Sequence, residues 1–451
     1  MFERLDGLLD ELPAASWRSL AVADIDGGGA KALVLVATDA PPAVLALRPG
    51  GPVRCDPGSL AEKGLSGRVV CAADVDGDGA EELLFVDRRP NGELAGRLCR
   101  LESGDWCAFA FGLPRPTVGA PAAIAVPMVG SHAGILLAVT GSLLRLYGAG
   151  PQGTVCDLAA EVGLDEFSPQ APLRHLPWPK PHGGLLFGAG ESLWSMARDA
   201  RGRFSPPLPV AAVGPAIRAL LPLAGPTDGR LNVFAATASG TQQLLATAAE
   251  DTLVDVAPRL LAEPGPVLDA VAADFDGDGA EELLLLCDRE PNRLFGWREG
   301  GLRPLDAGAA TLPRGRHAAA AVVDLDLDGV PELLLLPASG CRDRPLVLRA
   351  AAARAERLVA IAPLSVGGAP ARGAEVRIEI GGRWRRSVVD GGNGRIQGEP
   401  VVRFGLGAGR NAARVEVCWP DGSRLQLPEV AAGCLYRLGH PAASIRRSSA
   451  K

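Results

Sequence analysis

The chain has 451 residues, 47% apolar and 22% charged, and its 57 Gly and 38 Pro make up about one residue in five. This is a globular, turn-rich composition that excludes a disordered chain and a helical bundle. The formal charge of −6 is uneven: residues 1–357 hold 32 Lys and Arg against 45 Asp and Glu, residues 358–440 hold 11 against 7, and the tail 441–451 adds three positive charges. So acidic a main body excludes nucleic acid, whose binding rests on clustered Lys and Arg, and favours metal cations; no apolar run approaches the roughly 18 residues of a membrane span.

The N-terminal MFERLDGLLDELPAASW carries Glu3, Asp6, Asp10 and Glu11 before any apolar stretch, so it lacks the basic start of a secretory signal, and a cytoplasmic location is expected. Nine scattered cysteines without a Cys-x-x-Cys pair suit reduced, mostly buried thiols. The dominant feature is a repeat. Ala21–Val36, Cys71–Val86, Val271–Leu286 and Ala321–Leu336 read alike, and their first aspartates are Asp24, Asp74, Asp274 and Asp324. Aligning the apolar run that follows each loop places three degenerate units between them, starting at Val126, Leu176 and Pro222, so that the steps are 50, 52, 50, 46, 52 and 50 residues.

Each unit reads as strand, tight Gly-rich loop and strand, and several end on an Asp among apolar residues, as in CDPGSLAEKGL from Cys55. Four short strands in seven units predict an all-β fold, a seven-bladed β-propeller over residues 1–357 with a small C-terminal β domain. The N-terminal RLDGLLDEL repeats the end signal with no unit before it, and the seventh unit lacks one. Residues 2–6 are therefore expected to supply the outer strand of blade seven and to leave no open sheet edge.

Three loops place carboxylates at positions 1, 3, 5 and 9 with Gly at 6: Asp74, Asp76, Asp78 and Glu82; Asp274, Asp276, Asp278 and Glu282; Asp324, Asp326, Asp328 and Glu332. Alternating Asp side chains on a sharp turn can converge on a hard cation, which needs six to eight oxygens, and recurrence in register argues against plain Asp-Gly turns. About three Ca²⁺ sites are expected, with Mg²⁺ the alternative occupant. Asp24 and Asp26 of the first loop keep two carboxylates and make a marginal site. In the degenerate units His132, His182 and Asp228 fall at loop position 7, as weak catalytic candidates on one rim of the ring; polar turns are the preferred reading.

These loops resemble the FG-GAP or VCBS repeats of integrin α-subunit propellers and their bacterial relatives. The resemblance implies structural calcium bracing a loop between the first two strands of a blade. Past residue 358 the repeat stops. Gly373-Ala-Glu375-Val, Asp390-Gly-Gly-Asn-Gly394, Phe404-Gly-Leu-Gly407 and Val415-Glu-Val-Cys-Trp419-Pro-Asp-Gly422 resemble the ASPIC/UnbV domain, with Glu375 standing where that family usually has a basic residue. Read from its residues, 358–440 is a small β domain of alternating strands. Arg383, Arg385 and Arg386 flank Trp384 on what reads as a solvated strand face, and 441–451 reads as a basic, disordered tail.

Two functional classes follow. One is a calcium-braced binding or scaffold module for a protein, glycan or small molecule. The other, suggested by the association of UnbV-type proteins with bacterial natural-product biosynthesis, is an enzyme of cyclisation or rearrangement type. Its site would lie in the propeller channel or at the interface with the C-terminal domain. No nucleophile, P-loop or zinc-protease motif commits the chain to a reaction.

Overall fold

The computed structural model describes all residues except 62–65, 109–118, 129–131, 151–153, 169, 177–182, 215, 226–230, 248–251, 263–264, 289, 299–300, 313–316, 408–410, 413 and 444–451. Among the described residues, seven antiparallel sheets follow one another along the first 350 positions, numbered here as sheets 1 to 7. Their innermost strands are Trp17–Ala23, Ser66–Ala73, Pro121–Pro127, Gln170–Leu176, Ile217–Ala224, Val267–Ala273 and His317–Val323. Each inner strand touches the next, and the last touches the first, so the sheets close into a β-propeller around a central channel.

Why the second strands are unbroken runs of Leu, Val and Phe is visible in the packing. In Ala32–Ala37 every residue is buried, with Leu33 and Leu35 facing sheet 7 and Val34 and Val36 facing sheet 2. Strands covered on both faces lose the polar alternation of a half-exposed strand. The same division yields seven apolar clusters, one between each pair of neighbouring sheets, including sheets 7 and 1.

The ring is joined across its ends by Phe2–Arg4, which pairs antiparallel with Leu346–Ala350 as the outer strand of sheet 7. Phe2 is buried and meets Phe275 edge to face at 4.9 Å between ring centroids. All nine cysteines are free, but only Cys71, Cys99 and Cys287 are buried, fewer than the sequence suggests, because the others lie on outer strands, in a connection of sheet 7 (Cys341) and in the C-terminal domain.

The C-terminal domain begins at Leu358–Pro363 and has its own core around Val359, Ile361, Val376, Ile378, Val415 and Trp419. Its largest sheet orders Arg383–Val388, Glu375–Ile380, Arg414–Cys418 and Arg424–Leu427. Between two of its strands the segment 390–398 enters the propeller channel. Ile396–Gln397 pairs in parallel with Leu20 and Ala21 of sheet 1, and Ala125 N and Ala123 N of sheet 3 donate to Gly391 O (2.7 Å) and Gly394 O (2.9 Å). The Gln397 amide bonds both backbone groups of Ala72 in sheet 2 (2.7 and 2.8 Å), and Arg174 of sheet 4 donates to Asp390 Oδ1 (2.5 Å). Glycine is required here: a Cβ on Gly391 would sit 2.8 Å from Ala125 O, and Gly394 has φ +105° with Ala122 Cβ 2.9 Å from where its own would lie.

Arg372 locks this insertion. Its buried guanidinium donates to Glu81 Oε1 (2.6 Å) and Oε2 (3.2 Å), Val22 O (2.5 Å) and Asp390 O (2.8 Å), joining sheets 1 and 2 to the start of the inserted segment. Removing one partner of such a pair strands a buried charge. Arg372→Met is expected to lower the unfolding free energy by about 3–5 kcal/mol in urea titration. Adding Glu81→Gln should cost little more, because the stranded charge is then gone. At the ring closure Phe2→Ala should cost about 3–5 kcal/mol, whereas exposed Glu3→Ala should stay within about 0.5 kcal/mol by the same measurement.

Candidate metal centres at the domain junction

The acidic loops join the first and second strands of their sheets. Backbone amides of the loops bond these carboxylates, engaging both oxygens in the case of Asp274. In the sheet 2 loop Gly77 N donates to Asp74 Oδ1 (2.7 Å), Asp78 N to Asp76 Oδ1 (3.2 Å), Ala80 N to Asp78 Oδ1 (2.8 Å) and Val75 N to Glu82 Oε2 (2.7 Å). The sheet 6 loop repeats every bond on Asp274, Asp276, Asp278 and Glu282, and the sheet 7 loop repeats three of the four on Asp326, Asp328 and Glu332. Aspartates bonding the amide two or three residues on are what fold these nine residues into a tight turn.

Three groups result whose ligand oxygens lie within 4.8 Å of one another: Asp74, Asp76 and Asp78; Asp274, Asp276 and Glu282; Asp324, Asp326 and Glu332. Each can hold a metal ion. Their donor chemistry fits a hard cation, and each loop contains buried carboxylate oxygens without a hydrogen-bond partner: Asp74 Oδ2 and Glu82 Oε1, Glu282 Oε1, and Asp324 Oδ1. Burial, reinforced by the neighbouring aspartates, pushes Glu82 and Glu282 up to about 9 and Asp74 and Asp274 up to about 7. Glu332 is raised by burial to about 7. In the first loop Asp24 is raised by burial to about 7, and its Oδ1 has no partner; Asp26 Oδ1 accepts from Gly28 N (2.9 Å).

The C-terminal domain lies over these loops. Gly405 N donates to Asp274 Oδ2 (2.7 Å), and a Cβ on Gly405 would be 2.3 Å from that oxygen. Gly407 N donates to Gly277 O (3.1 Å), and Arg403 donates to Asp324 Oδ2 (3.3 Å). Gly405 and Gly407 are thus docking contacts between the domains. Arg385 and Arg386, expected on a solvated face, are partly buried and line a cleft with Asp274 and Glu281, because that strand packs against the sheet 6 loop. Arg386 also pairs with buried Glu375 (3.1 Å), which explains an acid at that position.

Loop position 8 has a role the sequence reading missed. Glu81 Oε2 accepts from Asp24 N (2.9 Å) and Glu281 Oε2 from Ala224 N (2.8 Å), so each caps the loop of the preceding sheet. Sheet 1 has Lys31 there instead. Lys31 pairs with Glu399 of the C-terminal domain, and Glu399 Oε2 caps Asp324 N (3.2 Å), closing the same circuit across the ring junction. Arg403 and Lys31 hold the Glu399 carboxyl down at about 2 against its burial. Arg100, Arg298 and Arg349, each 24–26 residues after its loop's first aspartate, were also unmarked; that nearly constant offset was the available signal.

Of the weak catalytic candidates, His182 and Asp228 lie outside the described residues. His132 is half-buried and lines a cavity of about 50 Å³ between the domains, with Asp74, Met128, Trp419 and His440. His440 has both ring nitrogens engaged, by Asp421 (3.1 Å) and Ala442 N (3.1 Å). A second cavity of about 160 Å³ remains in the channel beside the inserted segment, lined by Arg174, Glu281, Asp390 and Arg403. No helix among the described residues is long and apolar enough to cross a membrane.

Comparison with known proteins agrees with these two parts. Residues 274–335 match the FG-GAP-like repeat model and residues 367–445 the ASPIC and UnbV model. Over 211 residues, 43% of this chain, the sequence is 32% identical to cartilage acidic protein 1 of Xenopus tropicalis and of Homo sapiens. The chain spans about a third of the length of these relatives (32%). Among solved structures, the WD40 β-propeller domain of Doa1 is similar with a TM-score of 0.43 and 10% identity, covering 77% of this chain and 96% of that one. Saccharomyces cerevisiae Sqt1 gives 0.44 and 12%, covering 75% and 97%. The chain is therefore a β-propeller carrying an FG-GAP-like repeat, followed by an ASPIC and UnbV domain.

Proposed function

We propose that this protein is a cation-braced binding module whose acidic loops take calcium and whose uncovered face receives a protein, glycan or small molecule. The observation that carries the metal reading is the convergence of three carboxylate groups, each with a buried oxygen lacking a hydrogen-bond partner, on loops already shaped by their other oxygens. Asp74, Asp76, Asp78 and Glu82, with their counterparts in sheets 6 and 7, would hold the ions; Mg²⁺ would fit less readily, because it demands a near-ideal octahedron. A bound cation supplies the positive charge that the buried carboxylates need.

In an antiparallel four-stranded sheet the first and third connections share one face and the second connection and the link to the next sheet share the other. The C-terminal domain covers the face that carries the acidic loops, which leaves the opposite face for a partner. There the N-terminal segment and sheet 7 enclose a cavity of about 450 Å³ lined by Arg4, Asp6, Asp10, His317, Asp343 and Arg344. That size and a mixed polar lining suit part of a glycan or a polar small molecule. The enzyme reading draws on Glu281, raised by burial to about 7 at the channel cavity where an acid or base could act.

Metal analysis of the purified chain should find bound calcium, and chelator should remove it and lower the melting temperature; a cation at 100 times its Kd adds about 2.7 kcal/mol. Finding neither metal nor a chelator effect would refute the reading. The chelator effect should also depend on pH. Glu82 and Glu282 are raised to about 9 in the metal-free fold, so that fold keeps its full stability below the unfolded carboxyl range and loses it as pH rises towards 9. Differential scanning calorimetry should therefore show a larger chelator-induced drop in melting temperature at pH 9 than at pH 6.

A further inference from the structure

Every acidic loop is approached by an arginine, and the four do so to different degrees. At the sheet 7 loop Arg349 donates from Nη1 to Asp328 Oδ2 (2.9 Å), from Nη2 to Asp326 Oδ2 (2.9 Å) and from Nε to Glu332 Oε1 (2.7 Å), so one guanidinium engages three carboxylates of the set. At sheet 6 Arg298 donates to Asp276 (2.9 Å) and Asp278 (2.9 Å) but stays 3.8 Å from Glu282 Oε1, which lacks a hydrogen bond. At sheet 2 Arg100 pairs with Asp76 (3.3 Å) and is shared with Glu102, while Asp74 Oδ2 and Glu82 Oε1 are buried without a hydrogen-bond partner. At sheet 1 the arginine comes from the other domain: Arg437 lies 3.9 Å from Asp24 with its guanidinium against Gly29.

A guanidinium and a divalent cation satisfy the same need, since both place positive charge among clustered carboxylate oxygens. They also exclude each other, because a calcium ion requires most of those oxygens for itself. Arg349, Arg298 and Arg100 come from the third strand of their own sheets, tethered at fixed reach. We propose that these arginines are built-in counter-ions that rank the loops for cation binding. The sheet 2 loop is open and binds first, the sheet 6 loop is intermediate, and the sheet 7 loop is closed by Arg349 and binds only when that side chain is withdrawn. This rests on the cation-binding reading above and adds which loops act on it.

The test is calorimetric titration of the metal-stripped full chain with calcium chloride, wild type against Arg349→Met and Arg100→Met. Wild type should bind with unequal affinities, the tightest site lost in Asp74→Asn and kept in Asp324→Asn. Arg349→Met should strengthen the weakest site at least tenfold, while Arg100→Met should change the tightest site by less than threefold. Three equal sites in wild type, or no tightening in a folded Arg349→Met, would overturn the ranking and leave the calcium reading intact. Should Arg349→Met fail to fold, the Asp74→Asn and Asp324→Asn pair decides alone, equal losses counting against the proposal. Calcium bound by Arg349→Met and not by wild type would instead uphold the counter-ion role and remove calcium from the native protein. No binding by either would end both.

Discussion

Buried carboxylates need positive charge, and the architecture of this molecule follows from how that need is met. The turn-forming aspartates accept bonds from backbone amides, which shapes the loops without neutralising them. The C-terminal domain lies over the loops, with Gly405 N on Asp274, and burial raises Asp74, Asp274, Glu82 and Glu282. Covering and neutralising must therefore occur together: Gly405 N and Arg403 bring donors with the cover, Arg298 and Arg349 bring charge from within the sheets, and a cation completes what they leave.

The same coupling makes ring and cap one object. The inserted segment 390–398 bonds the inner strands of sheets 1 and 3 through its backbone and those of sheets 2 and 4 through the Gln397 and Asp390 side chains, so the channel is occupied by the C-terminal domain. Arg372 ties that segment to Glu81, which in turn caps the first loop through Asp24 N. A disturbance at a loop is thus passed within two side chains to the channel, and the domains are expected to unfold together, since each satisfies the other's buried polar groups.

What was legible in the sequence was local and periodic. The alternation of Asp and Gly and the runs such as ELLLL repeat at fixed spacing, so the loops and the β-propeller could be read directly from them. The arginines were not, because their roles depend on strand register: Glu332 and Arg349 face each other only once Leu333 pairs with Leu348. The role of the inserted segment is not legible either, since nothing local in DGGNG shows that its partners are Leu20 and Ala123, hundreds of residues earlier. Glu399 is the extreme case, an unremarkable acid by sequence that is held charged by Lys31 and Arg403 from opposite sides of the junction.

Ring closure also explains a pattern that looks arbitrary along the chain. The loops with aspartates belong to sheets 1, 2, 6 and 7, separated by some two hundred residues of degenerate repeats in sequence but contiguous in space, because sheet 7 packs against sheet 1. They form one acidic arc on one face. The domain that covers this arc is the part of the chain with excess positive charge, and its Arg372, Arg403 and Arg437 are spent on Glu81, Asp324 and Asp24 within it. On the degenerate side the polarity reverses: Arg174 of sheet 4 is the cation and Asp390 of the C-terminal domain the anion. Charge therefore fixes the rotational setting of the cap on a ring whose seven sheets are otherwise alike, since turning it by one sheet would bring Arg403 away from Asp324 and Asp390 away from Arg174.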